Sequence, residues 1–342
     1  MTQAPLKVVH MMRPASRQLF SIERVFEIVR AAMPQQLNIA VTQWSPDTAK
    51  GLLGMLKAAW EARKHQGDIT HITGDAHYLA WFLDPRRTIL TVHDLRYFHR
   101  LKGLRRWLYW LLWFRIPLAR CARVTAISTS TRDDLLKHAP WIEPRLDLVV
   151  NPLPSGFEGI EGRRDARSAD PSLQLLHIGT SAPKNLMRHL DAIEGMDAVL
   201  SIAGPIDQAT REAAENHPAR TNILGAVSDD ALSALYQSSD ILLFASLAEG
   251  FGLPILEAQA AGLPVIAGDN SAMPETAGGG ALLVDAHSTV AIRDAIEQLA
   301  NDRQLQSDLI AKGRENLQRF APEVVARQYA AVYRSVAGSD DG

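Results

Sequence analysis

The sequence predicts an α/β protein made of two doubly wound domains, each with a parallel sheet of about six strands. Three observations predict this fold. The chain has 342 residues, which favours two domains over one. Short apolar runs alternate with amphipathic segments along both halves, as in βαβ units. A stretch at residues 151–172 is rich in Pro, Gly, Ser and charge and lacks hydrophobic periodicity, so it is interpreted as a linker between the domains.

Each half carries its own series of strand-like runs. In the first half these are LKVVHMM, LNIAVT, ITHIT, TILTVHD, RVTAIS and LDLVV. In the second half they are LQLLHIG, AVLSIAG, TNILGAV, DILLFAS, PVIAGD and ALLVD. The expected domains are residues 1–155 and 156–320. The remaining segment, 321–342, is expected to be a helix that packs back on the first domain, followed by a tail.

Composition excludes several classes of protein. The chain is 46% hydrophobic and 22% charged, as in ordinary globular proteins. No apolar run approaches the length of a transmembrane helix, and the start of the chain lacks the apolar core of a signal peptide. Cys121 is the single cysteine, which rules out an intrachain disulfide and a multi-cysteine zinc site. Together these features predict a cytoplasmic protein.

The net charge of −2 hides an asymmetry between the two halves. Residues 1–150 hold 22 Lys and Arg against 12 Asp and Glu, whereas residues 151–342 hold 14 against 26. A basic first half suggests that this half faces something anionic, such as a phosphate-bearing substrate, a membrane or a nucleic acid. The alternative is chance variation between two solvated surfaces.

The densest group of candidate functional residues lies in ASLAEGFGLPILEAQAAGLPV, residues 245–265. DILLFAS is expected to be a buried strand, LAEGFG the loop that leaves it, and residues 254–261 a short helix that begins with Pro254. Backbone N–H groups at the start of that helix favour an anion. Gly250 and Gly252 let a ligand approach the backbone closely.

Two glutamates flank this loop. Glu249 lies in it, and Glu257 lies one turn into the helix. Carboxylates bind vicinal hydroxyls well, so a ligand with a central phosphate and a sugar on either side would satisfy the loop and both glutamates together. The alternative is that both glutamates only cap the helix.

The spacing of Glu249 and Glu257 within EGFGLPILEAQAAGLPVIA resembles the signature of the retaining glycosyltransferases of family 4. That family has the GT-B fold, in which two Rossmann-like domains face each other across a cleft. The resemblance extends over nearly the whole chain and is strongest from about 173 to 285. It implies that Glu257 holds the ribose of a nucleotide-sugar donor and that Glu249 contacts the donor sugar. By the same resemblance, the sugar and the diphosphate are bound by the backbone of Gly250, Phe251, Gly252 and Leu253.

LLHIGTSAPKNL places Gly179 after a strand and Lys184 at the next helix start, where a lysine acts as a point charge on a diphosphate. Such a charge stabilises the leaving nucleotide; the alternative is a solvated surface lysine. Members of the family usually have a longer loop here, often with an arginine as well. This chain has Thr180 instead, and Arg17 or Arg96 is a candidate for the missing cation.

TNILGAVSDDAL ends a strand at Gly225, and in similar proteins the backbone from here to Val227 contacts the nucleobase. Asp229 and Asp230 follow at a helix start. Their side chains diverge on a helix, so we expect N-caps rather than metal ligands. No metal and no other cofactor is expected, because a lysine and a helix dipole replace the cation.

In the first half, TVHDLRYF places His93 at the end of a strand. The resemblance implies that His93 faces the donor sugar, where it would donate a hydrogen bond to a hydroxyl; the alternative is a histidine that holds a loop. Together with Glu249 and Lys184 it forms the expected catalytic set. Weaker candidates for contacts to the acceptor or to phosphate lie in other strand-end loops: Arg13, Arg17, Asp75 and Arg96.

Residues 99–121 combine Trp107, Trp110 and Trp113 with several basic residues. An aromatic and basic helix on a basic domain suits an anionic membrane surface, and many acceptors of family 4 enzymes are lipid-linked. These features predict peripheral contact with the inner face of the cell membrane. The alternative is that most of these aromatic residues pack on the sheet.

The sequence therefore predicts a metal-independent transferase that moves a sugar from a UDP- or GDP-sugar to a glycan or lipid-linked acceptor, in polysaccharide, O-antigen or glycolipid assembly. One alternative is a nucleotide-sugar epimerase on the same fold, which would isomerise the donor without an acceptor. Another is a nucleic-acid-binding protein that uses the basic first half, although no recognition motif is present. A nicotinamide enzyme is disfavoured because no G-x-G-x-x-G follows the first strand.

Overall fold

The computed structural model describes residues 4–14, 21–33, 37–154, 156–157 and 171–338. The chain divides into two compact units. Unit 1 comprises Met1–Pro152 and Phe320–Gly342, and unit 2 comprises Leu153–Arg319. Each unit contains a six-stranded sheet in which every pairing is parallel. The predicted α/β fold class with two doubly wound sheets is therefore confirmed.

The sheet of unit 1 has the strand order β2-β1-β3-β4-β5-β6. Its two central strands, β3 and β4, are buried along their whole length, as expected for a parallel sheet covered by helices on both faces. The strands are β1 (Leu6–Met11), β2 (Ile39–Trp44), β3 (Ile69–Ile72), β4 (Thr88–Val92), β5 (Arg123–Ala126) and β6 (Leu146–Leu148). The helices are α1 (Ser21–Ala31), α2 (Gly51–Ala62), α3 (Arg96–Arg100), α4 (Gly103–Tyr109), α5 (Ile116–Ala119), α6 (Thr129–His138) and, from the end of the chain, α14 (Pro322–Ala337).

A buried polar chain fixes α14 to the sheet of unit 1. The hydroxyl of Tyr333 lies 2.8 Å from Nε2 of His10 and 2.9 Å from Nδ1 of His71. The other ring nitrogen of His71 lies 2.7 Å from the hydroxyl of Thr91. Burial lowers the pKa of both histidines, that of His71 to about 3, so both rings are neutral in the folded protein at neutral pH.

The sheet of unit 2 has the order β12-β11-β10-β7-β8-β9. Neighbouring residues of its strands enter two different clusters: Leu175 and Leu243 pack on one face, and Leu176 and Leu242 pack on the other. The strands are β7 (Leu173–Ile178), β8 (Ala198–Ala203), β9 (Arg220–Gly225), β10 (Ile241–Phe244), β11 (Val265–Gly268) and β12 (Leu282–Val284). The helices are α7 (Leu186–Ile193), α8 (Gln208–Glu215), α9 (Asp229–Ser238), α10 (Leu253–Ala260), α11 (Met273–Ala277), α12 (Thr289–Asn301) and α13 (Arg303–Leu317).

The strand order of unit 2 changes direction between β7 and β10. From β7 the chain continues to β8 and β9 on one side, and it then returns to β10 on the other side of β7. Open α/β sheets bind ligands at the carboxyl ends of the strands at such a switch point, where the two outgoing loops diverge. The loops after β7 and β10 carry Lys184 and Glu249, so both side chains lie at the edge of the sheet where this rule places a ligand.

Candidate functional site

Lys184 and Glu249 form an ion pair at the switch point of unit 2. Nζ of Lys184 lies 2.7 Å from Oε1 of Glu249, and the two side chains are only 18% and 8% exposed. The same ammonium lies 4.4 Å from the centre of the Phe244 ring, within range of a cation–π contact. The two residues that the sequence proposes for catalysis in this half are therefore in direct contact, and the lysine is positioned by a carboxylate and an aromatic face.

The loop that carries Lys184 is held by backbone contacts. Residues Ala182–Lys184 form a single 3₁₀ turn, and α7 begins only at Leu186, two residues later than the sequence suggested. The N–H of Leu247 donates to the carbonyl of Pro183 at 2.7 Å, which joins the loop after β10 to the loop after β7. The ion pair between Lys184 and Glu249 therefore reinforces a connection that the backbone already makes.

Two glycines bring neighbouring loops close together beneath Lys184. Gly179 has φ +85°, and a Cβ there would lie 3.0 Å from Cε of Lys184. Gly204 has φ +129°, and a Cβ there would lie 3.0 Å from Cα of Gly179. Both positions have the positive φ that favours glycine, and at both a Cβ would make an unusually tight contact. The aliphatic part of the Lys184 side chain thus packs against Gly179, which the sequence predicted to bind the donor.

Glu257 lies near the start of α10, and its carboxylate is held by a buried tyrosine. The hydroxyl of Tyr236 donates to Oε2 of Glu257 at 2.7 Å. Burial, together with the nearby carboxylate, raises the pKa of Tyr236 well above its usual value, so the phenol remains a donor. Phe157 packs edge-on against the Tyr236 ring. The orientation of the Glu257 carboxylate is therefore fixed before any ligand contacts it.

The loop between the two glutamates ends as the sequence predicted. Helix α10 spans Leu253–Ala260, one residue earlier than expected, with Pro254 in its first turn. Gly252 precedes it with φ +102°, a conformation that places the first backbone N–H groups at the end of the loop. The hydroxyl of Thr276 donates to the carbonyl of Phe251 at 2.7 Å, which fixes the loop from the side of α11.

The structure adds a buried polar network under this loop that sequence reasoning missed. The carbonyl of Ala245, at the base of the loop, accepts from Nδ2 of Asn185 at 2.9 Å and from Nε2 of His189 at 3.2 Å. Because Nε2 of His189 donates, its Nδ1 accepts from Nδ1 of His177, 2.9 Å away. Arg188 donates to Oδ1 of Asn185 at 2.5 Å. The segment HIGTSAPKNLMRH contains these side chains, but they come together only when the strand and the helix of this segment are folded.

The other expected donor residues of unit 2 follow β9. Gly225, with φ +69°, ends the strand, and Val227 is half-buried in the loop that follows. The expectation that Asp229 and Asp230 cap α9 is wrong. Ser228 is the cap, and its side chain accepts from the N–H of Ala231. Both aspartates instead lie in the first turn of the helix, where the helix dipole favours negative charge.

In unit 1, His93 is half-buried and holds a neighbouring loop. Its Nε2 donates to the carbonyl of Thr73 at 2.8 Å, and its own carbonyl accepts from the hydroxyl of Thr131. Burial lowers the pKa of His93 against opposing contributions from the Thr73 carbonyl and Asp94, which favours the neutral ring. Asp94 accepts from the backbone N–H of Arg96 and so fixes the local backbone.

The weaker candidates of unit 1 have partners of their own. Arg13 forms a bidentate ion pair with Glu23: Nε donates to Oε1 at 2.7 Å and Nη2 donates to Oε2 at 2.9 Å. Arg96 pairs with Asp94 at 2.8 Å, and the Asp75 carboxylate accepts from the indole N–H of Trp113. Arg17 lies outside the described residues.

The segment 99–121 is not one continuous α-helix. Helix α4 passes at Trp110–Arg115 into a π-helical turn before α5 begins. Trp110 and Trp113 are partly buried against the core of unit 1, whereas Trp107 is 57% exposed, together with Leu104 and Leu108. Part of the aromatic set therefore packs inward, as the alternative interpretation held, and part faces outward. None of the helices among the described residues is both long and apolar enough to cross a bilayer.

Comparison with known proteins agrees with this architecture. The model of the family described as Glycosyltransferase Family 4 matches residues 9–154, and that of Glycosyl transferases group 1 matches residues 163–316. The chain is 33% identical over 159 residues to a phosphatidyl-myo-inositol mannosyltransferase of Mycobacterium leprae, a match covering 44% of this chain and 42% of that protein. It is 24% identical over 222 residues to the O-antigen chain mannosyltransferase RfbU of Salmonella typhimurium, covering 63% and 61%. The matches thus span less than two thirds of these relatives.

Solved structures show the same fold. HepE of Anabaena, crystallised with UDP and glucose, superposes with a TM-score of 0.73 at 17% identity, covering 96% of this chain and all of that one. A glycosyltransferase of Rickettsia africae superposes with a TM-score of 0.72 at 16% identity, covering 97% and 98%. Taken together, the two family matches and the shared fold show that the chain belongs to glycosyltransferase family 4 and has the GT-B fold.

Proposed function

We propose that this glycosyltransferase uses a nucleoside-diphosphate sugar, with UDP or GDP as the nucleotide, and transfers the sugar to an acceptor hydroxyl with retention of anomeric configuration. One observation carries the proposal. At the switch point of unit 2, the Lys184–Glu249 ion pair lies on one side of the glycine loop, and Glu257 lies in the first turns of α10 on the other. A diphosphate between two sugar rings matches this order of cation, backbone donors and carboxylates.

Each group has a role that follows from its chemistry. An ammonium has three donor hydrogens, so Lys184 can bind a diphosphate oxygen while it keeps its contact with Glu249. In that position it stabilises the charge that develops on the leaving nucleotide. Glu249, held by the lysine, accepts from hydroxyls of the donor sugar. Glu257, held by Tyr236, accepts from the ribose hydroxyls.

Retention needs no enzymic nucleophile in this proposal. The bond between the anomeric carbon and the diphosphate oxygen breaks, and the acceptor oxygen attacks the same face. The acceptor proton passes to the departing diphosphate, which the Lys184 ammonium stabilises. The transfer is proposed to need no metal ion, because the lysine and the helix start supply the positive charge.

The acceptor is proposed to be a growing glycan or a lipid-linked sugar. The relatives support this, since one is named as a mannosyltransferase of phosphatidyl-myo-inositol and another as a mannosyltransferase of an O-antigen chain.

Exposed Leu104, Trp107 and Leu108 lie on a basic segment, which suits contact with an anionic membrane. In vesicle sedimentation, Trp107→Ala should weaken binding to anionic lipid more than Trp60→Ala, because both rings are 57% exposed but only Trp107 lies in this segment. Equal effects would contradict membrane contact through this segment.

A thermal-shift screen with UDP, GDP, ADP and their sugars tests the donor. A ligand that binds the folded state raises the melting temperature with its concentration, and the responsive nucleotide identifies the base. Incubating that sugar nucleotide alone then distinguishes transfer from epimerisation, since an epimerase would convert it without an acceptor. No response to any nucleotide, together with salt-sensitive binding of RNA or DNA, would overturn the proposal.

A further inference from the structure

Three side chains with metal-binding chemistry meet on the surface of unit 1, outside every residue assigned to sugar transfer. They are His99 from α3 and Asp134 and His138 from α6. Nε2 of His99 lies 2.6 Å from Oδ2 of Asp134. One ligand atom from each of the three residues lies within 4.8 Å of the other two. Two imidazoles and one carboxylate are a ligand set that suits zinc and related ions.

Local structure explains why these residues converge. Asp134 and His138 are four positions apart on α6, so their side chains project from the same face of the helix, one turn apart. Thr131 lies on that face as well, and its hydroxyl donates to the carbonyl of His93. The face as a whole therefore contacts the segment from His93 to His99, and the two possible ligands of α6 lie opposite the histidine at the end of that segment.

The spacing is close to what a bound ion requires. Two ligands of a tetrahedral zinc, each about 2.1 Å from the metal, lie about 3.4 Å from each other. His99 and Asp134 are now nearer than this because they form a direct hydrogen bond, so an ion would separate them by a fraction of an ångström. Both side chains are partly exposed, at 42% and 28%, which leaves them room to rotate and leaves solvent access for a fourth, water ligand.

Charge near the cluster limits which ligand fits. Arg106 and Lys137 carry positive charges near His138. The nearby cations disfavour a hard ion held by charge alone, such as Ca²⁺ or Mg²⁺, which takes several oxygen ligands. The cluster offers two nitrogens and one carboxylate instead.

From this geometry we infer that His99, Asp134 and His138 form a binding site for a divalent transition-metal ion of the zinc type, which ties α3 to α6. The site is structural and distinct from the sugar-transfer chemistry of unit 2. Because α3 follows the loop of His93, an occupied site would fix both ends of that segment to α6: Thr131 holds the His93 end, and the ion holds the His99 end.

Direct titration of the untagged full chain with Zn²⁺ tests this inference. We expect one Zn²⁺ per chain by calorimetry and, with Co²⁺ as a probe, visible absorption typical of a tetrahedral site. Asp134→Asn keeps the size of the side chain and removes its charge. It should weaken binding by at least the roughly 10–100-fold that loss of an outer-shell partner causes, and His99→Ala and His138→Ala should weaken it at least as much.

The chain offers a matched control. His217 and Asp191 form a similar imidazole–carboxylate pair, with Nε2 and Oδ1 3.1 Å apart, and they belong to no three-residue cluster among the described residues. His217→Ala should therefore leave Zn²⁺ binding unchanged. Circular dichroism identifies any variant that fails to fold. If the histidine variants do not fold, the Zn²⁺ affinity of Asp134→Asn is the deciding measurement. The inference is overturned if the wild-type chain binds no stoichiometric Zn²⁺ at a free Zn²⁺ concentration 100 times the dissociation constant of a typical structural zinc site. It is also overturned if the Zn²⁺ affinity of Asp134→Asn equals that of the wild type.

Discussion

The ammonium of Lys184 and Oε1 of Glu249 lie 2.7 Å apart, although 65 positions separate the two residues in the chain. The pair joins the loops that leave β7 and β10, the two strands between which the sheet of unit 2 changes direction. Each side chain therefore keeps the other at the place where α/β sheets bind ligands. This contact connects the stability of unit 2 to the proposed chemistry.

Removing one member of the pair should cost more stability than removing both. Lys184→Met leaves a mostly buried carboxylate without this cation, and we expect a loss of about 1.5–3 kcal/mol in the free energy of unfolding. Adding Glu249→Gln should restore most of that stability without restoring turnover, because both groups act on the donor. Denaturant unfolding and steady-state kinetics of the two single variants and the double variant measure the coupling. Strictly additive losses would show that the pair contributes nothing.

Tyr236→Phe should weaken donor binding while turnover stays close to that of the wild type. The ring continues to pack on Phe157, but the hydrogen bond that aims Glu257 is lost. We expect KM for the donor to rise about 3–10-fold, a part of what a hydrogen bond to a charged group contributes. Tyr78→Phe is the control, because that buried hydroxyl has no hydrogen-bond partner among the described residues. An unchanged donor KM in Tyr236→Phe would show that Glu257 does not depend on the tyrosine.

Gly179→Ala should impair catalysis beyond its effect on stability. The new methyl group would lie 3.0 Å from Cε of Lys184, so the lysine side chain would have to shift by a few tenths of an ångström; a misplacement of about 1 Å can cost roughly 100-fold in rate, and a smaller shift costs less. Gly195→Ala is a close control, because Gly195 also has positive φ, +74°, but no atom lies within 4 Å of the added Cβ. Both variants should melt at lower temperature, and only Gly179→Ala should lower kcat/KM, by about 3–10-fold. Equal activity in the two variants would rule out a positioning role for this close contact.

Acid should destabilise unit 1 through His71. Burial, with repulsion from His93 as a smaller cause, lowers the pKa of His71 to about 3, whereas an unfolded histidine titrates near 6.5. Between these values the unfolded chain binds a proton that the folded chain does not, so stability falls as the pH decreases from about 6.5 to about 3. His71→Gln should reduce the loss of unfolding free energy by up to about 1.4 kcal/mol for each pH unit in this range. Urea unfolding at several pH values measures this slope. A slope that His71→Gln leaves unchanged would contradict this account.

The sequence predicted those features that depend on local pattern. The alternation of apolar runs located all twelve strands found in the described part of the chain, and Pro254 with its preceding glycines located α10 to within one residue. The positions of Lys184 and Glu249 after neighbouring strands followed from the same pattern. Their direct contact did not, because the loop conformations that bring the two side chains together are set by backbone contacts such as that between Leu247 and Pro183.

Features that depend on tertiary packing escaped sequence reasoning. Nothing near Glu257 in the chain indicates that Tyr236 holds it, since the tyrosine comes from a different helix. The cap of α9 was assigned to the aspartates because their side chains suit that role, but Ser228, one position earlier, has the extended backbone that a cap requires. The cluster of His99, Asp134 and His138 likewise exists only because α3 and α6 are adjacent in the folded unit.

The most direct test of the central claim is the dissociation constant of UDP or GDP, whichever the screen selects, measured by calorimetry on the wild type, Glu257→Gln and Glu297→Gln. If the nucleotide binds at the edge of unit 2 with its ribose on Glu257, the first substitution should weaken binding about 10–100-fold. Glu297→Gln removes a surface carboxylate of α12 that pairs with Arg293, and it should have no effect. Identical dissociation constants for the wild type and Glu257→Gln would contradict the claim.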